Sequence, residues 1–533
     1  MYLLHTIGRL PSAQVRKLTN GEIKDMCLHG RAAVTRAHVL LSARTPICPS
    51  LPRRASGVLF LLACLVCGGC ASANEAIVPT NTQLENAQQG ADAIGLTNAA
   101  KGGEIEGFAS AVSVNHGEET RFYVSTVEPS YSLQVFRVGW YSGKGARAMT
   151  QPILRAGILQ TAPVEDAETG LIECHWSDPY VLKTSDAASG TPWPSGVYVA
   201  KLTASASGKQ SYIIFVVRDD ASTSDLLFQT SVTTYEAYND WGGKSLYTKP
   251  RAHKVSFNRP YKQGYGTGHF LFWELSMVRF LEREGYDVSY TTDVDTHERG
   301  NLLLQHKAFL SVGHDEYWSW RMRDHVQAAR DLGVNLGFFG ADAAYWQIRF
   351  EPSLEDGAPD RTITCYKDAD KDPFSGAGDA AMRRLTTVKF RDDIVNRPED
   401  ELVGVMYETD PVGGDIVIED DSSWVFAGTG LKQGDHLKNL LGYEVDRMFR
   451  HAPKGTTRLS HSPYQFHGET RYSDMTVYTA PSGATVFATG SMQWNWGLND
   501  YEVMGQKYAN QAVQQVTRNI LSRFGATPAT PSK

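Results

Sequence analysis

Cysteine is scarce in the body of this 533-residue chain. Five of the seven cysteines lie within the first 70 residues, and only Cys174 and Cys365 follow. The body has no CxxC pair and no Cys/His cluster with zinc-ligand spacing, which excludes a disulfide-stapled miniprotein and a structural zinc module. One bridge between Cys174 and Cys365 is allowed in an oxidising compartment. We predict that neither cysteine is needed for folding, because a body of this length buries a sufficient core.

Basic residues are also in short supply after residue 54. The first 54 residues hold nine Lys/Arg and two Asp/Glu, whereas the rest of the chain holds 43 and 57. An acidic body binds polyanions poorly, so nucleic acid is not an expected partner. With 42% hydrophobic and 21% charged residues, the whole chain has the composition of a globular protein of several domains.

The apolar run at residues 57–66 is too short to span a bilayer, but it follows Arg53 and Arg54 as the core of a signal peptide does. We therefore expect export, with a leader over residues 1–73, a signal peptide at about 53–73 and an upstream part that a wrongly assigned start would explain. Two products remain open. Small residues at 71–73 suit cleavage to a soluble periplasmic protein, whereas the CGGC sequence ending at Cys70 resembles a lipobox and would give a membrane-anchored lipoprotein.

The remaining chain changes character twice. Residues 74–103 are polar and typical of a linker. Residues 104–220 contain short alternating segments such as TRFYVST and GVYVAKL, separated by turn residues, and predict a small antiparallel β-sandwich. Over residues 221–525, strand-like segments such as DLLFQTSVTTY alternate with helix-like segments such as residues 268–285. This alternation predicts a mostly parallel sheet with helices on both faces; residues 526–533 form a tail.

Polar residues collect where the strands of that predicted sheet end. The first four ends carry Tyr235 with Tyr238, Asp293, the segment GHDEYW and the segment GADAAYW. Ligands bind beyond the carboxyl ends of such strands. Titratable groups directly after a buried strand are costly unless they are paired or bind a ligand. A structural role, with Asp315 capping the next helix, explains GHDEYW equally well.

Three familiar hydrolytic arrangements are absent from the sequence: GxSxG, HExxH and a cysteine directly after a strand of the predicted parallel sheet. Hydrolysis by this chain would therefore need another way to activate water. A metal ion held by oxygen ligands would be sufficient.

Five motifs in fixed order resemble the C-terminal region of the large subunit of N,N-dimethylformamidase: SGVYVAKL, TYEAYNDWGGKSLY, SVGHDEYWS, GADAAYWQIRFE and TCYKDA. Further matches, GYEVD and GSMQWNWGL among them, extend the resemblance over roughly residues 104–525. It implies an α/β-plus-β protein in which an immunoglobulin-like sandwich precedes an α/β domain similar to glutamine amidotransferases but without their cysteine. It also implies hydrolysis of a small amide.

The resemblance further implies one Fe(III) ion bound by two tyrosines and one glutamate. Matched motif by motif, these ligands are Glu316, Tyr198 and Tyr238, and Tyr235 is the rival of Tyr238. Phenolate and carboxylate are hard oxygen donors that suit Fe(III). With Tyr198 on the sandwich and Glu316 on the sheet, the metal would lie at the domain interface.

Three more residues have roles by the same resemblance. His314 would be the acid and base that moves a proton between water and the departing amine, and Asp342 and Lys367 would line the pocket. The partner expected from the family is a small-molecule amide. The family enzyme also has a small subunit without a visible counterpart in this chain, and a homo-oligomer remains open.

Two hypotheses therefore stand: an exported, iron-dependent hydrolase of a small amide, and a non-catalytic exported envelope protein on the same fold that binds carbohydrate or a partner. The second would use an aromatic platform, since aromatic faces stack on sugars. Its candidate residues are Trp140, Tyr141, Trp193, Trp241, Trp318, Trp494 and Trp496.

Overall fold

The computed structural model describes residues 79–528 of the chain. The predicted leader, with its signal peptide and the lipid anchor at Cys70, lies outside these residues. Among residues 79–528, no helix combines the length and apolar content that a membrane span requires.

Nine strands form two sheets around one hydrophobic core in the N-terminal part. They are β1 (Ile105–Ala109), β2 (Ser113–Asn115), β3 (Glu119–Thr126), β4 (Ser130–Val138), β5 (Ala146–Ala148), β6 (Ile153–Ala156), β7 (Tyr180–Lys183), β8 (Gly196–Ala204) and β9 (Gln210–Arg218). One sheet has the order β1-β3-β7 and the other β2-β9-β8-β4-β5, with β6 also paired to β4. The pairs are antiparallel, as predicted, except that β2 runs parallel to β9. Phe122, Leu133 and Phe215 belong to the shared core.

The segment before β1, assigned to a linker by sequence, packs against the body. Its helix α1 (Asn81–Asn86) begins with a capping box at Thr80. Asn86 Nδ2 donates to Glu282 Oε2 at 2.7 Å, and Tyr212 Oη donates to the carbonyl of Ile94 at 2.8 Å. These long-range hydrogen bonds hold the segment against the body, whereas its polar composition had predicted a linker.

Thirteen further strands lie in the C-terminal part. They are β10 (Leu226–Thr230), β11 (Lys254–Ser256), β12 (Val288–Thr292), β13 (Ala308–His314), β14 (Tyr317–Ser319), β15 (Asn335–Ala341), β16 (Trp346–Glu351), β17 (Thr362–Thr364), β18 (Met406–Val417), β19 (His436–Arg447), β20 (Thr457–Phe466), β21 (Glu469–Thr479) and β22 (Thr485–Ala488). The main sheet has the order β12-β10-β13-β15-β22-β21-β20. Its first five strands are parallel, and the pairings of β22 with β21 and of β21 with β20 are antiparallel. A smaller sheet has the order β11-β17-β16-β14, and β18 pairs with β19.

The helices of this part are few and short. The α-helices are α2 (Val232–Tyr238), α3 (Phe270–Trp273), α4 (Leu275–Glu284), α5 (Asp293–Glu298), α6 (Trp320–Asp331), α7 (Ala380–Arg383), α8 (Asp400–Val403) and α9 (Gln511–Arg523). Short 3-10 helices of this part are Trp241–Gly243, Gln263–Tyr265, Gly300–Gln305, Ala369–Lys371, Trp424–Phe426 and Met492–Leu498, and another, Tyr141–Gly143, lies in the N-terminal part. The described chain is thus a mixed α/β structure dominated by sheets.

Both faces of the main sheet are covered. Phe228 and Leu310 belong to one core with α4 and α9, whereas their neighbours Leu227 and Phe309 belong to another with α6. Successive strand residues point to opposite faces, so continuous apolar strands supply two cores at once. This is the arrangement that the alternating pattern of residues 221–525 predicts.

Two predicted elements differ from the structure. The strand expected over DLLFQTSVTTY ends at Thr230, and α2 follows it, because the carboxylate of Asp293 accepts hydrogen bonds from the backbone N–H and hydroxyl of Thr233 at 3.0 and 2.8 Å. The single helix expected over residues 268–285 is divided into α3 and α4 at Glu274.

Candidate metal centre

Three oxygen donors meet beyond the carboxyl ends of β10 and β13. Tyr247 Oη lies 2.7 Å from Glu316 Oε1 and 2.9 Å from Tyr238 Oη. Tyr238 is the last residue of α2, Tyr247 lies in the loop that follows, and Glu316 lies between β13 and β14. Tyr238 and Glu316 are buried and Tyr247 is half-buried. Two phenols and one carboxylate are therefore linked through the Tyr247 oxygen, largely away from bulk water.

A buried amide ties together the strand ends that position this group. Gln229 Nε2 donates to Asp293 Oδ1 at 2.8 Å and to Asp315 Oδ2 at 2.9 Å. Asp293 in turn holds the first turn of α2 through Thr233. Burial, which disfavours the charged form, raises the pKa of both Asp293 and Asp315. The helix that carries Tyr238 is thus fixed to the turn that carries Glu316.

Two glycines allow β13 and β15 to approach closely at the site. Gly313 pairs with Gly340, and a Cβ on Gly340 would lie 2.2 Å from the carbonyl oxygen of Gly313. Gly313 also has φ +77°, a conformation that favours glycine. This close pairing places His314 at the end of one strand beside Asp342 just after the end of the other.

The ammonium group of Lys367 contacts two tyrosines at the site. Its Nζ donates to Tyr317 Oη at 2.5 Å, and Tyr317 Oη lies 2.5 Å from Tyr247 Oη. The same ammonium group lies 3.3 Å from the centroid of the Tyr247 ring and 4.6 Å from that of Trp346. A positive charge this close favours the phenolate form of a neighbouring tyrosine. Burial raises the pKa of Tyr317, so this phenol keeps its proton and donates it in a hydrogen bond.

His314 faces two carboxylates. Its Nε2 lies 3.3 Å from Glu316 Oε2 and 3.6 Å from Glu444 Oε1. Burial lowers the pKa of His314, but the negative charges of Glu444 and Glu316 outweigh burial and raise it overall. Burial raises the pKa of Glu316, but the nearby His314 outweighs burial and lowers it overall. Burial raises the pKa of Glu444 to about 7.

Asp342 completes the acidic side of the site. It adopts φ +57°, and its backbone N–H donates to Asp446 Oδ1 at 2.8 Å. Burial raises its pKa, and the nearby Glu444 and Glu316 raise it further. One potential ligand atom each from His314, Glu316 and Asp342 lies within 4.8 Å of the others. These three residue types in this spacing are a candidate cation site.

Two tyrosines predicted from the family motifs lie elsewhere. Tyr198 is buried on β8, where its hydroxyl donates to the carbonyl of Pro194 at 2.6 Å and its ring stacks on Trp193. It belongs to the core of the two N-terminal sheets, so the structure does not bring it to Glu316. The hydroxyl of Tyr235 donates to Glu274 and not to Glu316.

The other predicted site residues do lie together. They are Tyr238, His314, Glu316, Asp342 and Lys367. Sequence reasoning missed Tyr247 and Glu444, although both lie in quoted motifs, KSLY and GYEVD. It also missed His269, whose ring is parallel to that of His314 at 6.0 Å. Burial lowers the pKa of His269 to about 3.

Comparison with known proteins identifies the class. Residues 132–510, more than half of the chain, match the family described as "N,N-dimethylformamidase beta subunit-like, C-terminal". The chain belongs to this family, which places it among the relatives of an amide hydrolase.

Two relatives show how far the similarity extends. The N,N-dimethylformamidase beta subunit of Paracoccus aminophilus is 23% identical over 336 residues, which cover 55% of this chain and 42% of the relative. The subunit of the same name from Alcaligenes sp. is 22% identical over 333 residues, with the same coverage. The match thus spans less than half the length of these relatives, and both are named as subunits.

Proposed function

We propose that this chain hydrolyses a small amide with the help of one Fe(III) ion held by Tyr238, Tyr247 and Glu316. The observation that carries the proposal is that the Tyr247 oxygen contacts both the Tyr238 oxygen and the Glu316 carboxylate in a largely buried site. This donor set fits the group, since hard anionic oxygens suit a hard cation. Tyr247 takes the place that the sequence motifs assigned to Tyr198.

An ion in this position supplies Lewis acidity, which activates water and polarises an amide carbonyl. The chain itself supplies the proton transfers. His314 Nε2, between Glu316 and Glu444, takes the proton that the attacking water loses as the new C–O bond forms. It returns that proton to the nitrogen as the C–N bond breaks, so that acid and amine are released. The two carboxylates stabilise the imidazolium in between.

Lys367 and Tyr317 support the tyrosine ligands. Tyr317 is hydrogen-bonded to Lys367 Nζ and directs its hydroxyl at Tyr247 Oη. Together they stabilise negative charge on the Tyr247 oxygen, which a hard cation needs for tight binding.

The finer fold assignment belongs to the same proposal. The shared core of the N-terminal sheets supports an immunoglobulin-like sandwich. Five parallel strands covered on both faces support a glutamine amidotransferase-like second domain, divided from the sandwich near residue 220. Export to the periplasm, with or without a lipid anchor at Cys70, and association with a further subunit or a second copy are proposals that rest on residues 53–73 and on the relatives' naming as subunits.

The binding-protein alternative has little support in the structure. Its platform needs exposed aromatic faces, but five of its seven residues are buried: Tyr141, Trp193, Trp318, Trp494 and Trp496. Buried aromatic residues stabilise a core and cannot stack on a sugar.

Metal analysis of protein purified without added metal tests the proposed function. We expect about one iron per chain and a visible absorption band, because phenolate-to-iron charge transfer absorbs visible light. Hydrolysis of small amides, followed by amine release, should require that iron. Iron-free, colourless protein without amidase activity would refute the proposal.

A further inference from the structure

A second cluster of ligand atoms adjoins the three oxygens already described. We call it the acidic pocket and define it as His314, Asp342 and Glu444, with Glu316 shared between both sites. Four atoms of these residues are buried and make no well-directed hydrogen bond within the described part of the chain, although the first two lie 3.3 Å apart: His314 Nε2, Glu316 Oε2, Asp342 Oδ1 and Glu444 Oε2. A buried polar atom without a partner is costly, so four together call for a missing ligand.

The charge of the pocket points to a cation. Among residues 79–528, no Lys or Arg forms an ion pair with Asp342 or Glu444, and Glu444 instead faces His314 at 3.6 Å. The nearby Arg391 forms an ion pair with Glu399 instead, with 3.0 Å between Nε and Oε2. Three carboxylates therefore face one imidazole, and each residue of the pocket is at most 6% exposed. Carboxylates at such depth keep their charge only beside a positive partner and otherwise bind a proton, which a metal ion would displace.

The spacing fits a small metal ion. Nitrogen and oxygen ligands of Zn²⁺ lie about 2.0–2.2 Å from the ion, so that they lie about 3–3.6 Å from one another. His314 Nε2 is 3.3 Å from Glu316 Oε2 and 3.6 Å from Glu444 Oε1. Imidazole with carboxylates is a ligand set of divalent transition metals, unlike the all-oxygen set of the two tyrosines and Glu316.

We propose that the acidic pocket is a second cation site, which binds a divalent transition-metal ion such as Zn²⁺ through His314, Asp342 and Glu444, with Glu316 as the shared ligand. One consequence rests on the proposed function: His314 Nε2 cannot hold a cation and a proton at once. Occupation of the pocket therefore removes the acid and base of the reaction, and Zn²⁺ in excess inhibits hydrolysis.

Calorimetric titration of the full-length, iron-loaded protein with Zn²⁺ tests the site directly. We expect one equivalent of Zn²⁺ to bind in addition to the iron. Asp342→Asn and Glu444→Gln each remove a charged ligand at nearly constant shape, and each should weaken Zn²⁺ binding at least about 10-fold. Glu274→Gln is the matched control, because its carboxylate is equally buried but accepts hydrogen bonds from Tyr235 and Ser231.

The outcomes separate this inference from the proposed function. No Zn²⁺ uptake beyond the iron, or equal affinity in wild type and both pocket variants, overturns the second site. Zn²⁺ uptake that the pocket variants lose, in protein without iron or amidase activity, supports the second site and refutes the proposed function. Anomalous diffraction at the zinc edge provides a second readout, and a peak away from His314 would overturn the assignment. Bound Zn²⁺ that leaves hydrolysis unchanged would overturn the inhibitory consequence.

Discussion

Tyr247 Oη lies 2.7 Å from Glu316 Oε1, although 69 residues separate the two in the chain. Tyr238 Oη lies 2.9 Å from the same tyrosine oxygen, so the segment between β10 and β11 supplies both phenols. The proposed ligands therefore all come from the C-terminal part of the chain. The sandwich, where Tyr198 is buried, contributes none of them.

The tyrosine assignment predicts opposite behaviour for two pairs of variants. Tyr238→Phe and Tyr247→Phe should bleach the visible band and weaken iron binding at least about 10-fold, because each loses an anionic oxygen donor. Tyr198→Phe and Tyr235→Phe are controls that lose a buried hydroxyl outside the site. They should keep colour and iron at a stability cost of about 0.5–1.5 kcal/mol. Absorption spectra and iron content of the four variants test the assignment. Colour that is lost in Tyr198→Phe but kept in Tyr247→Phe would make Tyr198 the ligand in place of Tyr247.

The proposed role of His314 predicts a loss of rate without a loss of metal. His314→Gln should reduce amide turnover by about 10²- to 10⁴-fold, the usual cost of a lost acid and base, while iron and colour remain. His269→Gln is the comparison. Because burial lowers the pKa of His269 to about 3, that residue carries no proton near neutrality, and we expect a change below about 10-fold. Loss of iron in His314→Gln would contradict the role.

The buried amide of Gln229 should matter for stability. Gln229→Leu leaves Asp293 and Asp315 without the donor that joins them, which should cost about 1–3 kcal/mol in the free energy of unfolding. Urea denaturation measures the cost, with the exposed Gln88→Leu as control. A loss below about 0.5 kcal/mol would mean that the two carboxyl groups pair without the amide.

Glu274 predicts a specific pH dependence. Burial raises its pKa in the folded protein to about 8, well above about 4.3 in the unfolded chain. The folded state thus binds the extra proton between these values, and the contribution of Glu274 to stability is full below pH ~4.3 and falls as pH rises to about 8. The slope is at most about 1.4 kcal/mol per pH unit. Glu274→Gln should remove this slope in denaturation curves, and identical slopes would refute it.

The two cysteines of the described chain are unbonded and buried. The double variant Cys174→Ser/Cys365→Ser should therefore express as soluble, folded protein, because no covalent link is lost. Circular dichroism and gel filtration check this. Insoluble protein would show that the buried thiols are essential to core packing.

The sequence by itself determined the class of fold and half of the site. Alternating segments predicted two sheets before residue 220, and continuous apolar strands predicted a main sheet covered on both faces. His314 ends β13, Glu316 and Asp342 lie within two residues of a strand end, and Tyr238 ends the helix that follows β10. Parallel strands present these ends at one edge of the sheet. The pattern of strands and helices along the sequence is therefore sufficient to predict that these four residues lie close together.

Tertiary structure alone decided the rest. Val197 and Val199 on β8 face one core, and Tyr198 and Ala200 face another, so apolar alternation could not show that the Tyr198 hydroxyl points away from Glu316. Tyr247 lies in a loop without periodicity, and Glu444 lies on β19, whose partner is β18 and not a strand of the main sheet. Their side chains reach the site only through long-range packing, because contacts between residues distant in the chain leave no periodic signal in the sequence.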